Sequence, residues 1–183
     1  MAHGMFPGTG YDGATPFFIA SKNCDVEFMK FLLAAGADPS IPTSNEITPL
    51  LAAAGVGYVI GESPGTPEEA LEAVRLLHGV GNDVEAVAFQ SAGSQGSSSY
   101  SAQCEGQGGG GWGGGTALHG AVVRGAAGLV KWLIAQGVRL DQKMICGTTA
   151  LDVAEGSSLG INYNVQPELA AIIREAMLTE GNR

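Results

Sequence analysis

A chain of 183 residues, 45% hydrophobic and 15% charged, is long enough to bury one continuous core. Its formal charge of -9, from nine Lys and Arg against eighteen Asp and Glu, repels phosphate backbones and excludes nucleic acid as a partner. No apolar stretch reaches the roughly eighteen residues a membrane span needs, and the N-terminus carries neither the charged nor the apolar region of a signal peptide; the chain therefore reads as soluble, with no compartment assigned.

Predicted helices follow one another from Thr15-Pro16, where the threonine oxygen can cap a first turn and the proline needs no backbone donor. A turn at Lys22-Asn23-Cys24-Asp25 leads to Val26–Leu33, whose apolar residues recur at helical spacing, and Gly36 supplies the left-handed residue that ends a helix at least cost. Thr48-Pro49 opens a third helix. A longer connection over 57–69 follows, its Ser63-Pro64-Gly65 core being turn chemistry. Thr66-Pro67-Glu68-Glu69 is a capped, acidic start for a fourth helix that runs to Gly81. Residues 88–111, rich in Gly and Ser, hold few side chains able to bury anything, so a flexible insertion is expected there. Thr116 begins a fifth helix, and a sixth ends at Gly137. Thr149 begins a seventh, and Pro167–Leu178 forms an eighth that closes the series after a connection over 157–166.

These elements repeat. Thr15-Pro16-Phe17-Phe18-Ile19-Ala20, Thr48-Pro49-Leu50-Leu51-Ala52-Ala53, Thr116-Ala117-Leu118-His119-Gly120-Ala121 and Thr149-Ala150-Leu151-Asp152-Val153-Ala154 are variants of one motif, Thr-Pro-Leu-His-x-Ala. The steps Thr15 to Thr48 and Thr116 to Thr149 are each 33 residues. In motif and period the sequence resembles the ankyrin repeat family. The resemblance implies an all-α ankyrin-repeat solenoid: a single domain over 1–183, with repeats at about 11–43, 44–87, 112–144 and 145–183, helix-turn-helix units, β-turn fingers and the long insertion within one finger. It also implies that His119, in the motif's histidine place, braces adjacent fingers.

Candidate chemistry is sparse. His3, His78 and His119 form no HExxH spacing, and Cys24, Cys104 and Cys146 form no CxxC pair, so neither a metal site nor a cofactor is expected. Cys146, His119 and Asp152 have the residue types of a nucleophilic triad but no activating elbow, and the glycine run 108–115 lacks the Lys-Ser or Lys-Thr of a phosphate loop. No enzymatic activity is expected. In the family, partners are held by finger tips and the inner face of the first helices. Carried over position by position, this implicates Tyr11, Asp12, Lys22 and Asn23 from the first repeat, and Asn45, Ile47 and Val56 from the second. Trp112, Val123 and Arg124 follow from the third, and Ile145 from the fourth. The apolar members suit an apolar or extended peptide, and each suits packing within the fingers equally.

A non-catalytic protein-interaction module is the reading this supports. The alternatives are a small-ligand or catalytic protein whose loops close as a lid beside Tyr58, Trp112 and His119, and a structural spacer or fragment of a longer array. Two departures from the motif stand out. Glu46 replaces the usual finger glycine, which puts that tight turn in question. The aromatic first repeat, with Phe17, Phe18, Phe28 and Phe31, calls for cover from upstream repeats, a partner, or Met5-Phe6-Pro7 folding back.

Overall fold

The structure, a computed structural model, describes residues 12–58, 63–88, 112–144, 147–157 and 165–181. Within them eight helices run in pairs: α1 (Pro16–Lys22) with α2 (Val26–Ala34), α3 (Pro49–Ala54) with α4 (Pro67–Gly79), α5 (Ala117–Arg124) with α6 (Ala127–Ala135), and α7 (Ala150–Ala154) with α8 (Pro167–Gly181). The first helices of successive pairs pack in one row, α1 on α3 on α5 on α7, and the second helices in another behind it. The described residues form no strand, only an isolated antiparallel bridge between Val87 and Thr116. None of their helices is long and apolar enough to cross a membrane.

Local chemistry sets the helix boundaries. Thr15, Thr48 and Thr149 each accept a hydrogen bond from the amide three residues on, and Thr66 does so within a reciprocal box in which the Glu69 carboxylate accepts from the Thr66 amide. Thr116 departs from this pattern: its amide donates to the His119 ring at 3.3 Å, so the motif's histidine does the reciprocal work there. Past the second helices, Gly36, Gly81 and Gly137 adopt φ of 86, 99 and 81°, as expected. Between the rows lies the core, centred on Phe17, Met29, Leu50, Leu51, Val74, Leu77, Leu118, Leu129, Leu133 and Ile173. Ala20, Ala53, Ala121 and Ala154 share one buried position in the first helices.

Fingers join one pair to the next. In two of them the same register recurs: Thr43 donates its amide to Ile47 O at 3.0 Å, and Met144 to Thr148 O at 2.9 Å. The turn residue two before each motif threonine is left-handed, glycine at 13, 114 and 147 and glutamate at 46, with φ of 60°. Glu46 thus makes the turn its side chain disfavours. Relief of that strain is worth about 1–2 kcal/mol, less about 0.5–1 kcal/mol for the freer unfolded chain of a glycine. Glu46→Gly should therefore raise stability by about 0.5–1 kcal/mol, read as a Tm higher by about 2 °C. A Tm that falls would mean that the contacts of the Glu46 side chain outweigh its backbone strain.

Ala88, placed by its sequence at the start of a flexible stretch, is instead fully buried. Its amide donates to Gly115 O and its carbonyl accepts from the Gly114 amide, both at 2.9 Å, because the finger needs a partner strand and Ala88 supplies it. Residues 89–111, which hold the rest of the expected insertion, lie outside the described residues.

Candidate functional site

The inner row of helices is closed up in its middle. Every residue of α3 and α5 is buried, whereas α1 exposes Pro16 and Ile19. Glycines allow this approach: a Cβ at Gly120 would stand 2.7 Å from Val56 N and 2.8 Å from Gly55 C, so α5 meets the end of α3 backbone to backbone. Fingers are tied to one another beside this row. Ser44 donates its amide to Asp12 O at 2.8 Å, Asn82 donates its side-chain amide to Pro39 O at 3.2 Å, and Arg139 meets Glu85 through both its amide and its guanidinium at 2.9 and 2.7 Å.

Against this frame the candidate contacts divide. Asp12 and Asn23 are exposed and Lys22 is half-buried, all on the first pair. Ile47, Val56 and Val123 are buried members of the core, and Asn45 is buried in its finger. Their apolar surface is spent on packing, which sequence left as an equal option. Trp112, 7% exposed, lays its ring over Gly115, whose missing side chain makes the room. Tyr11 and Ile145 lie outside the described residues, as does Cys146.

Arg124 has a specific role that spacing alone could not show. Only 7% exposed, it donates through Nη1 to Pro64 O at 3.2 Å and Gly65 O at 3.1 Å, and its guanidinium lies 4.4 Å from the centre of the Tyr58 ring. A cation taken out of water needs such partners, and here the 57–66 connection of the second pair provides them. Gly65 sits against Cys24, where a Cβ would come within 2.9 Å of the Cys24 Cβ. From the other side Gln166, in the connection of the fourth pair, donates to Val122 O at 2.5 Å. Both long connections thus converge on the end of α5.

The titrating groups in this region serve the frame. His119 is buried, with Nδ1 2.9 Å from Thr116 Oγ1 and Nε2 3.3 Å from Thr148 O. The carbonyl can only accept, so Nε2 carries the proton and Nδ1 accepts from Thr116. Burial pushes the imidazole pKa down to about 4, against smaller upward pulls from the Thr148 carbonyl and from Asp152. Both ring nitrogens are occupied by a brace between two fingers, and Asp152 is engaged by Thr149, whose amide and hydroxyl donate to it at 2.8 and 2.7 Å. Burial raises the Cys24 thiol pKa, which keeps it protonated, with Sγ 3.7 Å from Ala53 O. Among the described residues no three His, Cys, Asp or Glu side chains gather as metal ligands.

Comparison with known families agrees with this frame. The model of the ankyrin repeat matches residues 12–44, which span the first finger, α1, α2 and the start of the second finger. No curated protein matches the chain. Capped first helices, left-handed glycines after the second helices, inter-finger bonds and the match over 12–44 lead to one conclusion: residues 12–44 are similar to an ankyrin repeat, and the described residues fit an all-α fold of the ankyrin type.

Proposed function

We propose that the chain is a non-catalytic protein-interaction module, a single array of four ankyrin repeats that grips its partner at the finger tips and the end of the first helix. Ankyrin repeats generally mediate protein–protein interaction, and this supports the class of function. The observation that carries the reading is the bonding between fingers: Asp12 O to the Ser44 amide, and Glu85 to Arg139, hold exposed tips in fixed relation, so little ordering entropy is lost on binding. With Ile47, Val56 and Val123 in the core, the accessible candidates are the polar Asp12, Lys22 and Asn23, joined by exposed Ser44. A polar, extended segment of a partner protein is the ligand these side chains suit better than an apolar peptide.

Affinity capture with cross-linking tests this. A partner retained by the parent chain should be lost with Asp12→Arg combined with Lys22→Glu, and kept with Lys131→Glu, an exposed position on α6. Equal capture by all three would remove this surface from the function.

A further inference from the structure

Arg124 leaves one edge of its guanidinium uncommitted. Both of its hydrogen bonds, to Pro64 O at 3.2 Å and to Gly65 O at 3.1 Å, leave from Nη1. Nη1 stands cis to Cδ, so the Nε–H points to the opposite edge, which it shares with one Nη2–H. That is the edge on which an arginine takes a carboxylate through two parallel bonds. Here Nε is buried without a hydrogen-bond partner. Among the described residues Nη2 has none either, and no carboxylate pairs with the side chain. The Tyr58 ring, centred 4.4 Å from the guanidinium carbon, eases the charge but offers it no negative group.

A buried donor left without a partner costs about 1–3 kcal/mol, and more when it is charged, so filling this edge is favourable. Its occupant should be an anion, because the cation meets no counter-charge in the described frame. The surroundings agree. Lys22 and Arg124 both pull the Cys24 thiol pKa down, against the larger upward effect of burial, so the two cations bear on one place; Glu69 acts against them, but its carboxylate already accepts from the Thr66 amide at 2.8 Å. The formal charge of -9 opposes an anion only at long range, where salt screens it beyond about 8–10 Å. Counted from the motif threonines, Asn23, Val56 and Arg124 hold the same place in successive first helices, which sets Arg124 in one row with exposed Asn23.

We propose that the Nε–Nη2 edge of Arg124 is a carboxylate site, filled by an aspartate or glutamate side chain of the partner segment that lies along Lys22 and Asn23. The site rests on the interaction-module function only for the source of that carboxylate. Because Nε is shielded in the free chain, the ligand must displace its cover, and an isolated carboxylate binds weakly, with a Kd on the order of 1–10 mM.

Proton–nitrogen spectra of the arginine Nε–H groups test this on the full chain, which has five arginines. The Arg124 resonance is assigned by its loss in Arg124→Lys or, where that variant does not fold, by through-bond correlation to the Arg124 amide. Titration with N-acetylglutamate amide should move it to saturation, while Arg75, Arg139 and Arg174 follow only the drift produced by sodium chloride of equal ionic strength. Lys22→Gln should weaken the response about two- to fivefold. An Arg124 resonance that moves no further than the chloride drift overturns the proposal, whatever partner capture shows. A saturating response in a chain that captures no partner keeps the site and overturns its assignment to a partner protein. Inorganic phosphate acting at a concentration about tenfold lower than the glutamate probe overturns the carboxylate in favour of a phosphorylated ligand.

Discussion

Gly120→Ala should destabilise the chain by about 2–3 kcal/mol, a large effect for the addition of one methyl group. Gly120 lies in α5, where alanine would by itself stabilise the helix by about 1 kcal/mol. Steric cost reverses that sign. The new Cβ would stand 2.7 Å from Val56 N, 2.8 Å from Gly55 C and 3.0 Å from Gly55 N, all backbone atoms that no side-chain rotation can move aside. Gly55 cannot yield easily either, since it holds a left-handed φ of 118° at the end of α3 and its own Cβ position is 2.6 Å from Gly120 O. The change must therefore part α3 from α5. Urea unfolding would measure the loss, with Gly79→Ala as control. Gly79 is also a helical glycine, the last residue of α4, but a Cβ there meets nothing within 4 Å, so that variant should be neutral or slightly more stable. Equal behaviour of the two would show that α3 and α5 do not approach as closely as the structure places them.

Acid should weaken the fold through His119. Its pKa is about 4 in the folded protein against 6.5 for an unperturbed imidazole. Below 6.5 the unfolded chain takes up a proton that the folded one refuses, so stability is lost as pH falls from 6.5 towards 4 and is fully present above that window. The difference amounts to about 3 kcal/mol. Loss of net negative charge as pH approaches the isoelectric point of 4.6 acts in the opposite direction by reducing self-repulsion. The diagnostic quantity is therefore the difference between the parent and His119→Gln, a variant that keeps a side chain able to serve the Thr116 amide without titrating. At pH 7 the variant should be less stable, and the gap should close or reverse by pH 4.5. A gap constant with pH would mean that His119 titrates normally and is not buried as described.

The parts legible in the sequence are those fixed by residues close to each other along the chain. Thr66, Pro67 and Glu69 place a helix start whatever surrounds them, and Gly36, Gly81 and Gly137 stop helices because left-handed backbone is cheap for glycine alone. Glu46 shows the limit of such rules. The inter-finger bonds and buried Ile47 enforce the turn against its local preference, and tertiary packing prevails over a strain of about 1–2 kcal/mol. The candidate surface was harder to read. Val56 and Val123 sit just after or late in first helices of only six and eight residues, too short for helical periodicity to tell inside from outside. Arg124 meets carbonyls some sixty positions earlier in the chain, and no spacing rule reports such a contact. One signal was available: an arginine in an otherwise apolar helix invites a search for carbonyl acceptors and an aromatic ring, and Pro64-Gly65 and Tyr58 were there to be found.

Convergence of the two long connections on the end of α5 alters how the array comes apart. A linear solenoid held by uniform neighbour contacts frays from its ends, one unit at a time, because the loss at each boundary is small beside the stability of each unit. Here the second and fourth pairs each add a polar tie to the same helix terminus, at Arg124 and at Val122, and so raise the boundary cost on both sides of the third. Melting the second pair strips partners from a buried cation, and melting the fourth removes the Gln166 bond from the Val122 carbonyl, which keeps the Gly125 amide. The last three pairs are thereby coupled into one cooperative block, and the first pair, outside the clasp and ending in phenylalanines, is the unit free to unzip on its own.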